Sequence, residues 1–243
     1  MGADQNHDWT ATIASALDWW RDAGVDCTID DAPRDWLARA ASVPLAEKLP
    51  ARVAEPAPEI ALPTTLDAFA AWRIGSAAPE ASWPGTALPA QGDAASGLMI
   101  VTDMPDRDDE AAGQLLAGSA GALFDRMLAA IGRDRGTTYL TALAVKRPPA
   151  GRVAPEASEK LDALLRHHIA LARPERLLLL GNAASRAVTG LDVANARGSL
   201  RAINYEGGTV EAVASFHPRF LLERPAAKAD AWKDLRIVIG GLK

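Results

Sequence analysis

The chain has 243 residues, 49% apolar and 23% charged, a balance that suits one sizeable soluble core with an N-terminal extension. Its formal charge of −5 hides a division: residues 1–132 carry 8 basic and 20 acidic side chains (−12), and residues 133–243 carry 18 and 11 (+7). No apolar run reaches the ~18 residues of a membrane span, and the start has no basic, then apolar, signal-peptide pattern. A single cysteine, Cys27, supplies neither an internal disulfide nor the roughly four ligands of an iron–sulfur cluster.

These exclusions make a cytoplasmic protein without metal or cofactor the expectation. In chain order, Trp9 to Gly24 reads as a helix, with Asp8 as its cap, Gly24 as its stop and the pair Trp19-Trp20 beside Ile13, Ala16 and Leu17 on an apolar face. Asp30 or Asp31 starts a second helix through Trp36, Leu37 and Ala40. Residues 43–64 are rich in Pro and Ala, like a linker. A short helix over Leu66 to Trp72 follows, then loop over 75–96. The expected organisation is an N-terminal helical extension (1–42), linker and loops (43–96) and a main domain (97–243).

From residue 97 the pattern changes. Leu98 to Val101, Thr138 to Leu143, Leu177 to Leu180 and Thr209 to Ser215 read as strands, the last paired with Ala202 to Tyr205. Between and after them, helices are expected over Ala120–Ile131, Ala157–Ala172, Asn182–Val188 and Ala226–Ile239. Apolar strands alternating with helices predict an α/β fold, a three-layer α/β/α sandwich on a mostly parallel sheet. In such folds ligands sit beyond the carboxyl ends of the strands. That rule singles out Thr102-Asp103, Ala142-Leu143, Gly181-Asn182 and Phe216-His217.

Motifs occupy those same four places. Thr102-Asp103-Met104-Pro105-Asp106 runs without a gap to Gly113, Leu116, Gly118, Ala120 and Gly121. Tyr139-Leu140-Thr141-Ala142 leads to Lys146-Arg147-Pro148-Pro149. Arg173-Pro174 precedes Leu177 to Gly181, and Arg197-Gly198 precedes a strand. Ser215-Phe216-His217-Pro218-Arg219-Phe220-Leu221-Leu222 leads to Arg224-Pro225, Lys228, Trp232 and Asp234-Leu235. In order and spacing this series resembles the family-4 uracil-DNA glycosylases, whose first motif reads roughly GEAPGxxEDxxGxPFVGxAGxLL and whose last reads HPxxLLRxP. The resemblance covers about residues 97–239, and the Trp19-Trp20 helix is similar to an extension that some bacterial members carry.

The resemblance implies hydrolysis of the N-glycosidic bond of a flipped, damaged base in DNA. His217 would donate to the departing base and Asp103, in place of the family's glutamate, would face the sugar cation or orient water. Met104, Pro105, Leu116 and Ala142 fall at base-pocket positions. There Leu116 stands where the family stacks an aromatic ring, and Ala142 where it reads uracil with an asparagine. Lys146 and Leu161 stand where cluster cysteines would, and Trp72 to Trp83 supplies none. Weakened or altered base selectivity is therefore expected; the other reading is an inactive paralogue that binds DNA or a repair partner. Lys146, Arg147, Arg152, Arg219, Arg224 and Lys228 are candidate DNA contacts, with Phe220 and Leu221 in the loop that enters the base stack. Asp109-Glu110 reads as a solvated acidic loop. The tryptophan-rich extension reads as helices packed on the domain or as a surface for a repair-protein partner.

Overall fold

The computed structural model describes residues 9–23, 62–149 and 151–240. The chain divides into two units, residues 1–59 and residues 60–243. In the first, helix α1 spans Trp9–Asp22. Ile13, Leu17 and Trp20 are exposed along it, at spacings that keep them on one face. An Arg21–Asp18 ion pair of 2.8 Å lies near its end. Asp8, Cys27 and the helix expected from Asp30 or Asp31 lie outside the described residues.

The second unit is built on six strands: β1 (Gln91–Gly92), β2 (Leu98–Thr102), β3 (Tyr139–Ala142), β4 (Arg176–Leu180), β5 (Arg201–Tyr205) and β6 (Gly208–Ser215), in the order β1-β3-β2-β4-β6-β5. The four inner strands are parallel, and both edge strands run antiparallel to their neighbours. The sheet is thus mixed, with the expected parallel strands at its centre. The pairing of residues 202–205 with the last strand is observed in β5–β6.

Alternation along the buried strands makes two cores. Met99, Val101, Leu177 and Leu179 face α5 (Pro155–Ala172), with Leu161, Leu165 and Ile169 packed against them. Leu98, Ile100, Leu178 and Leu180 face α4 (Gly118–Ala130) and the last helix (Lys228–Ile239), through Phe124, Leu128, Leu235 and Val238. Successive strand residues point to opposite faces, so an uninterrupted apolar strand must be covered on both sides. The expected helices appear with boundaries shifted by a residue or two, and the last begins at Lys228 after a short turn at Pro225–Ala227.

The stretch 43–96, expected to be linker and loops around one helix, joins the packing from residue 62 onward. Helix α2 (Leu66–Arg73) buries Phe69 completely against His167 and His168. Arg73 and Glu80 form a buried ion pair of 2.5 Å. Arg73 also donates to Leu143 O at 2.8 Å, and Glu80 accepts from Val145 N at 3.3 Å. This pair fastens the segment to the loop after β3. Three short helices were not expected: α3 (Arg107–Ala112), α7 (Val193–Ala196) and α8 (Pro218–Glu223). The helices between and after them are α6 (Asn182–Thr189) and α9 (Lys228–Ile239).

Candidate active site

Strand register sets the site. Ala142, Thr102, Leu180 and Ser215 are paired in one row across β3, β2, β4 and β6. The residues after them therefore leave the sheet along one edge. From β2 the chain moves to β3 on one side, and from β4 to β6 on the other, so the β2–β4 junction is the topological switch point where such sheets open a crevice. Asp103 follows β2 and Gly181 follows β4 at that junction.

Asp103 is seated on the start of α6, where its Oδ1 accepts from Ala184 N at 2.8 Å. Helix N-termini offer unpaired N–H groups and favour negative charge. Gly181 is required there: its φ is +104°, and a Cβ would stand 2.5 Å from an Asp103 carboxylate oxygen. Burial pushes the Asp103 carboxyl above its ordinary value, and the Ala184 N–H and Arg219 pull against that shift.

His217 is buried, 8% exposed, at the end of β6. Its Nδ1 accepts from Arg219 N at 3.1 Å, capping α8. That fixes the proton on Nε2, which lies 3.0 Å from Thr102 Oγ1 and donates to it. Burial, aided by Arg219, lowers the imidazole to about 4, so it is neutral at neutral pH.

A cavity of about 330 Å³ lies beside these residues. Asp103, Met104, His217 and Leu143 line it, with Ser158 and Asp162 of α5 and Ala183 and Ala187 of α6. Arg147, Arg152, Arg186 and Arg219, with Gly151 and Val153, complete its lining. Arg147 and Arg219 also line a second cavity of about 290 Å³, next to Asp106 and Leu222. Asp106 accepts from both, at 3.2 Å from Arg147 and in a short contact with Arg219.

The other sequence-predicted positions lie apart from this cavity's lining. Leu116 and Ala142 are buried in the core facing α4 and α9, 2% and 4% exposed. Pro105 is buried and gives its carbonyl to Arg147. Leu221 is packed in the same core as Leu116, whereas Phe220 and Leu222 are exposed. Arg224 and Lys228 are exposed beyond the end of α8. Lys146 turns inward, its Nζ donating to Ala81 O at 3.1 Å and Trp83 O at 3.2 Å.

Asp109 corrects an expectation. It is not solvated but 2% exposed, and its carboxylate accepts from Leu116 N at 3.0 Å and Ala117 N at 2.6 Å. Arg135 holds the same loop from its carbonyl side, at Leu115 O and Leu116 O. Between them they fix Leu116 at φ +53°, a left-handed conformation costly for a non-glycine residue. Gly121 permits the close approach, since a Cβ there would meet Leu116 O at 1.9 Å. Only the acidic residue three places into a helix, after Asp106 as its cap, hinted at this role.

Sequence reasoning placed Thr102 at a strand end without giving it a role, and it missed Asp106, Ser158, Asp162 and Arg186. Thr102 and Asp106 stand where the resembled motif has glycines, which is a readable signal. Ser158 and Asp162 share one face of α5 at helical spacing. The cluster positions do not fit an iron–sulfur group: Leu161 is in the core and Lys146 is bound to carbonyls. None of these side chains is a soft ligand for iron.

The model of the uracil DNA glycosylase superfamily matches residues 89–236. A Type-4 uracil-DNA glycosylase of Pyrobaculum aerophilum is 30% identical over 164 residues, covering 64% of this chain and 83% of that protein. A Type-4 uracil-DNA glycosylase of Archaeoglobus fulgidus is 28% identical over 156 residues, covering 61% and 78%. With the family model spanning more than half of the chain, and with β2, β3, β4 and β6 delivering its motifs to one edge, the chain belongs to the uracil DNA glycosylase superfamily.

Proposed function

We propose that this protein hydrolyses the N-glycosidic bond of a damaged base flipped out of DNA, with base selectivity altered from that of a uracil-specific enzyme. The observation that carries the reading is the pairing of a half-buried carboxylate, Asp103, with a neutral imidazole, His217, on one cavity. A leaving base accumulates negative charge and the sugar accumulates positive charge, so a neutral N–H donor and a carboxylate suit the two ends of the breaking bond. Water forms the new bond to C1′ and gives up a proton toward Asp103. The C1′–N electron pair leaves with the base, stabilised by the His217 N–H once substrate displaces Thr102.

DNA enters through phosphate contacts to Arg147, Arg152, Arg219, Arg224 and Lys228, in the basic part of the chain. Phe220 and Leu222 are the exposed apolar groups of α8 that enter the stack. Ala142 and Leu116 carry neither an amide nor a ring and are packed away from the cavity, so neither reads nor stacks a base there, which is the ground for altered selectivity. The Arg73–Glu80 pair and Lys146 do the fastening that a cluster would do. The protein acts in the cytoplasm, and the N-terminal unit contacts a repair partner through its tryptophan-bearing helix.

A second reading is a DNA-binding paralogue without excision. The observation favouring it is that both His217 nitrogens are engaged by the protein itself. Single-turnover cleavage of duplexes carrying uracil, hypoxanthine or xanthine separates the two. Excision that is lost in His217→Ala and falls in Asp103→Asn supports the first. Persistent DNA binding with no cleavage of any of the three at enzyme excess supports the second.

A further inference from the structure

We propose that Asp162, with Ser158 one turn before it on α5, forms hydrogen bonds to the polar edge of a nucleobase lodged in the cavity beside Asp103. This rests on the reading of a flipped base as ligand, and it places the base-reading group on a different element from the one the family pattern would suggest. The family pattern points to position 142, at the end of β3. Here that position is an alanine packed in the opposite core, while the cavity opens toward α5 and α6.

Three observations converge on Asp162. First, it lines the cavity that Asp103 and His217 also line. Second, its Oδ1 is buried with no hydrogen-bond partner in the protein. A buried polar atom without a partner costs free energy, so an aspartate maintained there for stability alone is a poor choice. The carboxyl torsion of aspartate is broad, and a small rotation turns its oxygens toward a ligand. Third, burial raises the Asp162 carboxyl above its ordinary value, with Glu159 adding to the shift and Arg166 opposing it. A carboxyl group offers acceptor oxygens to the N–H groups of a base edge, part of what the amide that Ala142 lacks would do.

The rest of the cavity suits a nucleotide. Met104, Leu143, Val153 and Ala187 give apolar walls for a planar ring. The volume of about 330 Å³ lies within the range of small-molecule sites. Arg147, Arg152, Arg186 and Arg219 supply cations for phosphate. Planar ring, hydrogen-bonding edge and flanking phosphate define a nucleotide unit of DNA as the ligand class.

The test is equilibrium binding to three duplexes: one with 2′-fluoro-arabino uracil, one with 2′-fluoro-arabino hypoxanthine, and one with a tetrahydrofuran abasic analogue. The full-length protein is expected to bind one of the base-carrying duplexes about tenfold more tightly than the abasic one. Asp162→Ala is expected to erase that increment and leave abasic affinity unchanged, while Asp162→Asn keeps most of it. Thermal unfolding of Asp162→Ala is expected at or above that of the parent, because an unpartnered buried oxygen is removed. An increment that survives Asp162→Ala, or no base-dependent increment in the parent, overturns the proposal. Base-dependent binding without excision of the natural uracil or hypoxanthine duplex would instead overturn the catalytic reading and leave this one standing.

Discussion

The Nε2–H of His217, after β6, is bonded at 3.0 Å to the hydroxyl of Thr102, the last residue of β2, past the end of the intervening strand β4. Both residues are buried, and Thr102 stands where the resembled motif has a glycine. A side chain has thus entered a place that the pattern keeps open, and it has taken up the donor that a leaving base would need.

Replacing that hydroxyl tests the contact. Thr102→Val keeps the shape and removes the acceptor, so a buried N–H is left unpaired. The expected loss of unfolding free energy is about 1–3 kcal/mol. Thr102→Ser retains the oxygen and should cost less. Urea unfolding of the two variants decides it, and equal effects would show that the hydrogen bond is not what holds the pair.

The same imidazole predicts a pH dependence. His217 is lowered to about 4 and His168 to about 3 by burial, against an ordinary value of 6.5. The unfolded state takes up these protons first, so their contribution is complete above about pH 6.5 and is lost as pH falls toward 4. For His217 this is on the order of 3 kcal/mol, because each tenfold change in proton affinity is worth about 1.4 kcal/mol. Asp103 and Asp234 are raised by burial and have the opposite sign, offsetting part of the loss at the acid end. Stability measured in urea should fall from pH 7 to pH 4.5, with a shallower fall in His217→Gln. A parallel fall in that variant would place the effect elsewhere.

Asp106 holds Arg147 and Arg219 at the mouth of the cavity. A carboxylate there neutralises cations that would otherwise meet phosphate. Asp106→Asn is therefore expected to raise DNA affinity by about tenfold at low salt, with a steeper salt dependence as more counterions are released. Fluorescence anisotropy over a salt series checks both. Unchanged affinity would show that DNA reaches these arginines without competition from Asp106.

Arg73 and Glu80 predict a non-additive pair. Arg73→Met strands the buried Glu80 carboxylate and should cost about 3–5 kcal/mol. Arg73→Met with Glu80→Gln removes the stranded charge and should recover a large part of that. Denaturation of both variants and the parent measures the coupling, and strictly additive losses would mean the ion pair is not the fastening.

The site was readable in outline because its residues follow strand ends. Asp103 and His217 stand one and two residues past β2 and β6, and apolar runs mark those ends. Asp162 and Arg186 were not readable, since α5 lies in the crossover from β3 to β4 and α6 follows β4, and only the strand order β3-β2-β4 brings both beside Asp103. Asp109 misled because an acidic pair in a loop is usually solvated, whereas here three backbone N–H groups, those of Asp106, Leu116 and Ala117, surround its carboxylate.

Local pattern alone determined the layers of this protein: uninterrupted apolar strands, amphipathic helices between them, and motifs at the carboxyl ends. Those features depend on periodicity and spacing, which any chain displays without folding. Tertiary structure decided which side of the sheet the cavity faces, that Phe69 and Arg73–Glu80 belong to the same core, and that Leu116 and Ala142 point away from the cavity. Each of those depends on contacts between residues far apart in the chain, where burial and the demand for hydrogen-bond partners choose among arrangements that local pattern leaves equal.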